Sequence, residues 1–559
     1  MVPYQQLTLD SRMQCDVELL LQGAYHPVDG FMTHQEYETV LHSMRYRGRL
    51  WSLPIVLPVD KDKAMTFDYG ETIQLTDATN LPIAFLTLTD IFPANLSLEL
   101  DVLFRDINHP YYEYLLSCAK GDATKLYYLG GTIQPTKNQI LHFDNQDIRM
   151  TPTQVKDAIA KRGWNYVIAF QTRNPMHRCH YALTEYAYKD MIKQVKEQSP
   201  SVSDSEFGLL LHPAVGISQQ KDIAAKTRIE CYRSIVPHYS HGQCLLSLLS
   251  LNMRMAGPRE AIHHAIVRKN FGATHFIVGR GHAEPSCKQR NGEPFYSPYE
   301  AQELFQKHEK ELGITMISSK ALVYVQEWDT YIPCDQVPSN VTTRQLSGTQ
   351  LRTMLEKGET IPSWFTFPEI ATILQRKNNI STQQGGLCVY FIGLSGSGKS
   401  TLSNWVKEWI EETYQRPVTL LDGDVVRQHL SKGLSFSKED RSTNVQRIGY
   451  VASEIVKHGG LVLCANIAPY DKDRQLNRQK IEKYGTYLEV FVDTSLSECE
   501  RRDVKGLYHL ARQGTIPSFT GISDPFEMPT KPDLIIKNDS NIKENIETIQ
   551  HVVETYLKK

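Results

Sequence analysis

Residues 393–400 read Gly393-Leu394-Ser395-Gly396-Ser397-Gly398-Lys399-Ser400, a GxxxxGKS pattern with the apolar run LCVYFI before it and the helical pattern TLSNWVKEWIEE, opening on Thr401, after it. Glycines at this spacing let backbone N–H groups approach phosphate oxygens, Lys399 neutralises the β and γ oxygens, and Ser400 reaches Mg²⁺. The context of strand, loop and helix predicts a nucleotide site, and by itself says nothing of the second substrate. A different chemistry is set out at Gln171-Thr172-Arg173-Asn174-Pro175-Met176-His177-Arg178-Cys179-His180. Here a strand pattern gives way to a helical one, where unpaired N–H groups and the helix dipole favour anions. Thr172, Arg173 and Asn174 offer a hydroxyl, a bidentate cation and an amide around one anionic pocket. Pro175 suits a helix start because its missing N–H would go unbonded there, and His177 and His180 share a helical face. Two histidines three apart can equally be a solvated pair or metal ligands, so only the whole decapeptide points to substrate.

These segments need a scaffold, and the chain is long enough for several. At 559 residues it exceeds a single core, which stops growing at about 250 to 300 residues. Residues 1 to about 155 mix alternating segments, such as 51–58 (WSLPIVLP) and 81–88, with turn residues and predict a β-rich domain. From about 160 the texture becomes strands followed by long helices, with NYVIAFQ (165–171) leading into a helix over 177–197, and THFIVGR (274–280) repeating the strand pattern; this predicts α/β with a parallel sheet. QRKNNISTQQGG (375–386) is the best linker. After it LCVYFIGLSG, VTLLDGD, LVLCANI, YLEVFVD and DLIIKN have the continuous apolar character of buried parallel strands.

Composition narrows the function class. Lys plus Arg number 61 against 63 Asp plus Glu, so no global field favours nucleic acid or an anionic membrane, and any anion site is local. The N-terminal stretch carries acids and lacks a basic start and apolar core, and no apolar run approaches the ~20 residues that span a bilayer; a cytoplasmic chain is expected. The ten cysteines are scattered without a CxxC pair or zinc-ligand spacing. Reduced, mostly buried thiols are expected, with no zinc, haem or flavin.

The decapeptide resembles the QxRNPxHxxH signature of ATP sulfurylases, and the resemblance extends over 8–375 through HPAVG (212–216), MRMAGPRE (253–260), YSPYEAQEL (296–304) and LSGTQLR (346–352). It implies that Arg173 binds sulfate, that His177 and His180 contact ATP phosphates, that Thr172 and Asn174 belong to the catalytic constellation, and that Gln171 and Val323 line the site. A second family segment is Gly279-Arg280-Gly281-His282-Ala283-Glu284-Pro285-Ser286, where members usually read GRDHAGPG. Arg280 is implied to stabilise transition-state charge, with Gly279, His282 and Ala283 near ATP and sulfate. This chain departs from the pattern at Gly281, Glu284 and Ser286.

The segment 388–559 resembles adenylylsulfate kinase through DGDVVR (422–427), LSFSKEDRSTNVQRIGYVA, NIAPY (466–470), RDVKGLY (502–508) and SFTGISDP (518–525). The resemblance implies that Asp424, Arg427, Phe436, Arg441, Asn444, Ile467, Lys505 and Phe519 hold adenylylsulfate, the aromatic rings sandwiching adenine. Asp424 becomes the candidate for orienting or deprotonating the 3′-hydroxyl, and Asp422, with Ser400, for the magnesium side. Family members often carry Ser where this chain has Ala468, so a phosphoenzyme at that position is impossible and transfer from ATP is direct. Basic residues around 501–505 are expected in a lid.

The expectation is therefore an α/β multidomain chain. It has a β-rich, PUA-like N-terminal domain (1–155), a Rossmann-like nucleotidyltransferase domain (156–330), a small α/β subdomain (331–380), and a C-terminal P-loop kinase with a parallel sheet (387–559). It makes adenylylsulfate and pyrophosphate from ATP and sulfate, then phosphorylates adenylylsulfate, with Mg²⁺ on the ATP and homo-oligomerisation implied by the resemblance. Two rivals stand beside it. The C-terminal part could be a regulatory nucleotide-binding module, as in some fungal sulfurylases with a degraded phosphate loop, or the departures at Gly281 and Glu284 could leave only the kinase active.

Overall fold

The computed structural model describes residues 4–78, 80–136, 145–216, 223–240, 242–376, 386–414, 416–503, 506–516, 518–538 and 542–557. Two compact units are present, Met1–Gln375 and Arg376–Lys559. The predicted linker lies largely outside the described residues, as does Lys505.

The first unit begins with a six-stranded sheet in the order Gln6–Thr8, Thr72–Thr76, Pro82–Pro93, Leu126–Pro135 and Gly30–Phe31, with Leu57–Asp60 also paired to Leu126–Pro135. The expected strand over 51–58 is mostly absent. Pro54 removes a ladder N–H, and the chain from Trp51 to Val56 runs as irregular backbone, with the Trp51 Nε1 donating to the Leu53 carbonyl at 2.6 Å.

Next comes a five-stranded parallel sheet in the order Cys244–Leu246, Phe207–Leu211, Tyr166–Phe170, His275–Val278 and Thr315–Ser318. Alternate side chains of a strand face opposite ways. Val167 and Ala169 join the core shared with the N-terminal sheet, whereas Ile168 and Phe170 join a second core with Met191, Leu211, Phe365 and Ile370. Both faces are covered, which is why these strands read as apolar runs. The chain continues as a three-stranded antiparallel sheet, Thr330–Pro333, Leu322–Val325 and Thr343–Arg344, followed by the helices Gly348–Glu356 and Pro368–Arg376.

The second unit is a parallel sheet in the order Val418–Asp422, Leu461–Ala465, Gly386–Ile392, Gly485–Asp493 and Leu534–Lys537. Its core is built on Cys388, Tyr390, Ile392, Val462 and Cys464 together with Ile448 and Ala452 of the helix Lys438–Lys457. Among the described residues no helix is long and apolar enough to cross a membrane. All ten cysteines are free; only Cys231, Cys388, Cys464 and Cys499 are buried, and Cys287 and Cys334 are exposed, so the expectation of mostly buried thiols is corrected.

Candidate nucleotide sites of the two units

In the five-stranded parallel sheet of the first unit the strand order reverses between Tyr166–Phe170 and His275–Val278, and a crevice at the carboxyl ends of such neighbours is where open α/β sheets bind ligands. The segments 171–180 and 279–286 follow those two strands directly.

The first segment is held by its carbonyls. Arg228, almost fully buried, donates from Nη1 to the Arg173 carbonyl at 3.0 Å and to the Ala214 carbonyl at 2.8 Å, and the Tyr232 hydroxyl donates to the Asn174 carbonyl at 3.0 Å. The Thr172 hydroxyl closes on the backbone of Asn174, accepting its N–H and meeting its carbonyl, both at 3.1 Å. In this state the hydroxyl shapes the turn. Gln171 leaves its buried Oε1 without a partner, an acceptor open to a ligand. The helix runs Arg178–Gln198 with His177 as its N-cap, so Pro175 lies two residues before the cap and not in the first turn as expected. His177 is therefore not on the helix face. Its Nδ1 meets the Thr366 hydroxyl at 3.0 Å and its ring packs 4.4 Å from that of Phe365, while its backbone N–H donates to His180 Nδ1 at 3.1 Å. Burial pushes His177 down to about 3 and His180 to about 4, so both rings are neutral near pH 7. Val323 is buried in the strand Leu322–Val325, which packs on this helix.

The second segment is braced by the helix Gly257–Asn270. The Ala283 carbonyl accepts the Gly257 N–H at 3.2 Å, and His282 Nε2 lies 3.0 Å from His264 Nδ1. His264 Nε2 in turn lies 3.3 Å from the Glu260 carboxylate, out of line for a hydrogen bond, while that carboxylate accepts the N–H groups of Arg254 and Ala256 at 2.9 and 2.8 Å. Burial, with His264 and Arg268 adding to it, drives His282 down to about 3. Arg280 is exposed at the rim beside Gly279, and Arg173 Nη2 donates to the Ser286 hydroxyl at 3.2 Å, joining the two segments. The Arg173–Ser286 bond thus brings the two segments together, each carrying an arginine and a neutral imidazole, Arg173 and His180 on one and Arg280 and His282 on the other.

In the second unit the loop 393–398 leads into the helix Lys399–Tyr414. Its carbonyls are tied back. Asn538 Nδ2 and the Thr494 hydroxyl donate to the Ser397 carbonyl at 2.9 and 3.0 Å, and the Tyr508 hydroxyl to that of Ser395 at 2.9 Å. Engaged carbonyls suit a loop whose N–H groups serve phosphate, and of these the Ser397 N–H donates here to the Leu394 carbonyl at 3.2 Å. Gly398, at φ +102°, admits no side chain because a Cβ would lie 2.2 Å from Asn538 Nδ2. Lys399 Nζ donates to the Leu394 carbonyl at 2.6 Å, within the loop it is expected to leave for phosphate. The Ser400 hydroxyl donates to Asp422 at 2.6 Å, an oxygen pair of the kind hard cations use. No cluster of three or more His, Cys, Asp or Glu suited to a metal occurs among the described residues.

Around this loop Asp422 caps the helix Gly423–Gln428, accepting the Asp424 N–H at 2.9 Å and leaving Asp424 at the exposed mouth. Arg427 covers one face of Phe436 at 4.2 Å, and Phe436 is otherwise 57% exposed, a ring kept out of the core and free to stack. Arg441 pairs with Asp524 at 3.1 Å and donates to Thr520, which fixes the loop carrying the buried Phe519. The buried Asn444 keeps its Oδ1 unpartnered, and Ile467 precedes Ala468 in a loop whose φ of +43° is held by Arg474. Of the basic residues expected in a lid, Arg501 and Arg502 end the helix Leu496–Arg502, and Arg502 donates to the Asn538 carbonyl at 2.6 Å beside the phosphate loop.

Sequence reasoning missed Arg228, Tyr232, His264, Thr366, Thr494, Tyr508 and Asn538, which touch the site through backbone or another side chain. His264 and Asn538 had a signal. One sits a helical turn after Glu260 of the family segment 253–260, and the other at the carboxyl end of the last parallel strand.

Comparison with known proteins agrees with this geometry. Family models match residues 3–138 (PUA-like domain), 146–377 (ATP-sulfurylase) and 385–537 (adenylylsulphate kinase). A sulfate adenylyltransferase of Chaetomium globosum is 40% identical, the match covering 98% of this chain and 92% of the relative; one of Coccidioides immitis is 41% identical over 95% and 90%. Among solved structures, a hexameric APS kinase from Thiobacillus denitrificans matches with a TM-score of 0.54 and 29% identity over 99% of this chain and 94% of its own. The chain belongs to the sulfate adenylyltransferase family, with an adenylylsulfate kinase domain following its sulfurylase domain.

Proposed function

We infer that this chain activates sulfate in two steps, joining ATP and sulfate into adenylylsulfate with release of pyrophosphate, then phosphorylating the 3′-hydroxyl of adenylylsulfate from a second ATP. The observation that carries this reading is the joint presence of two arginine- and histidine-bearing segments bonded together at the switch point of the first unit's parallel sheet and an intact, carbonyl-tethered phosphate loop in the second unit. A sulfate oxygen attacks the α-phosphorus in line, so two polyanions must be brought together and a pentacoordinate charge stabilised. Arg173 holds sulfate, His177 and His180 face the phosphates, and Arg280 with His282 meets the developing charge. No covalent nucleophile is needed.

In the second unit Lys399 and the loop amides hold the nucleotide, Phe436 and Phe519 take the adenine of adenylylsulfate, and Arg427, Arg441 and Asn444 its polar groups. Asp424 orients the hydroxyl or removes its proton; Lys505 belongs to the same set by resemblance. Ser400 and Asp422 would hold Mg²⁺, which would supply neutralising charge to the transferring phosphoryl group. Ala468 leaves direct transfer between the two substrates as the route. The intact GxxxxGKS loop favours kinase catalysis over a purely regulatory module. Assembly into a homo-oligomer fits the hexameric relative, and a cytoplasmic location fits a chain that consumes ATP twice.

The test is the purified chain with ATP, sulfate and Mg²⁺, following pyrophosphate release and, by chromatography, 3′-phosphoadenylylsulfate. Pyrophosphate with adenylylsulfate but no phosphorylated product would remove the kinase half of the reading. Product formed only from supplied adenylylsulfate would remove the sulfurylase half.

A further inference from the structure

Gly281 adopts φ +60°, its N–H donates to the Pro298 carbonyl at 2.8 Å, and its carbonyl accepts the Glu284 N–H at 3.3 Å, so residues 281–284 form one tight turn. A side chain built on Gly281 would point at the Glu284 carboxylate, its Cβ only 2.8 Å from Oε2. The carboxylate of residue 284 thus folds back over residue 281. Burial raises the Glu284 carboxyl while the Arg280 charge draws it back. We propose that Glu284 is a positioning residue for the sulfurylase site, holding its carboxylate in the space a side chain at 281 would occupy and balancing Arg280 from there.

Among the described residues no carbonyl accepts a hydrogen bond from the exposed Arg280 guanidinium to aim it, and the turn carries no second acid. A carboxylate in that space restrains Arg280 through charge without filling the crevice itself. Gly281 and Glu284 are then one device, and either residue can supply the acid but not both. An acid at 281 tolerates the left-handed backbone, since Asp and Asn visit it more readily than other side chains. Beside Glu284, however, it crowds two like charges into one turn and displaces the longer side chain.

This proposal rests on the sulfurylase reading, and the experiment separates the two. Parent, Glu284→Gln, Glu284→Gly, Gly281→Asp and the double variant Gly281→Asp/Glu284→Gly are compared for pyrophosphate release, for phosphorylation of supplied adenylylsulfate, and for thermal unfolding. Glu284→Gln should lower sulfurylase kcat about tenfold with the KM for ATP within about threefold, and should remove the acid limb that the titrating carboxylate puts on the pH profile. Gly281→Asp should lower activity, and the double variant should return it to within about threefold of parent. Kinase turnover should not change in any of them. A parent without pyrophosphate release would overturn the sulfurylase reading; the unfolding data still decide the pairing, because Gly281→Asp should lower the midpoint by about 2 °C and Glu284→Gly should relieve it. Parent-level activity of Glu284→Gln with an unchanged pH profile, or strictly additive effects of the two substitutions in kinetics and unfolding, would overturn the proposal.

Discussion

His180 accepts the backbone N–H of His177 on its Nδ1 at 3.1 Å. A peptide amide only donates, so this nitrogen bears the lone pair, and a neutral ring carries its proton on Nε2. Burial keeps the ring neutral, lowering it to about 4. On the proposed reading the ring would offer phosphate a hydrogen-bond donor without a titrating cation. His180→Gln, whose amide nitrogen can stand where Nε2 stood, should keep more sulfurylase activity than His180→Asn, which can only cap the amide; losses of about tenfold and about a hundredfold are expected. Equal losses in pyrophosphate release would show that the cap, not the donor, is what matters.

Arg173 bonds to Ser286 and lies in the turn whose carbonyls Arg228 and Tyr232 fix. Arg173→Ala should cut pyrophosphate release by about a thousandfold, since a preorganised cation in a partly dry site is worth several kcal/mol. Kinase turnover on supplied adenylylsulfate should persist, because that site is in the other compact unit. Undiminished pyrophosphate release would end the assignment of Arg173 to sulfate.

Lys399→Ala should have the mirror effect, abolishing formation of 3′-phosphoadenylylsulfate while the sulfurylase rate stays at the parent value. The Lys399 ammonium rests on the Leu394 carbonyl at 2.6 Å, a contact it can exchange for phosphate oxygens. A parent-level kinase rate in this variant would mean that the loop is not the catalytic one.

Acid should undo the first unit before neutral chemistry fails. Burial lowers His109 to about 4, His177 to about 3, His180 to about 4, His275 to about 4 and His282 to about 3, all within Met1–Gln375. Each takes up a proton in the unfolded chain at about 6.5 and in the folded unit only well below that. Their stability contribution is therefore complete above about pH 6.5 and is lost progressively as pH falls toward 4. Calorimetry should show the melting of this unit falling by about 5 °C or more between pH 7.5 and 5. A midpoint constant over that range would show that the rings are hydrated in the folded state.

What could be read from sequence were features whose cause is local. The run 386–392 and its GxxxxGKS loop announce strand, turn and phosphate cradle because apolar burial and glycine spacing act within a dozen residues. The segment 51–58 misleads for the same reason: its alternation is real, but Pro54 and burial of Trp51 against other elements prevail. Site partners supplied from afar leave no such trace. Thr366 reaches His177 across 189 positions and Thr494 reaches the Ser397 carbonyl across 97. The role expected for the Thr172 hydroxyl likewise depends on whether it is spent on Asn174, which spacing does not encode.

Arg474 offers a last test of how the adenylylsulfate pocket is shaped. Its fully buried guanidinium donates to the Ala468 carbonyl at 2.8 Å and the Glu527 carbonyl at 2.9 Å, pairs with Asp471 at 3.0 Å, and lies 5.9 Å over the Phe526 ring. One side chain thus ties the loop 466–471 to the segment around 527 and holds Ala468 in its left-handed backbone, a conformation that costs a non-glycine residue about 1 to 2 kcal/mol. Lysine cannot span these acceptors, because its single ammonium lacks the planar fork. Arg474→Lys should therefore let the loop relax and raise the KM for adenylylsulfate about tenfold, while the KM for ATP, set by the tethered loop 393–398, stays within about threefold. If both constants rise together the guanidinium is holding the whole unit, and if neither moves the loop keeps its shape without it; in either case Arg474 does not tune the adenylylsulfate pocket.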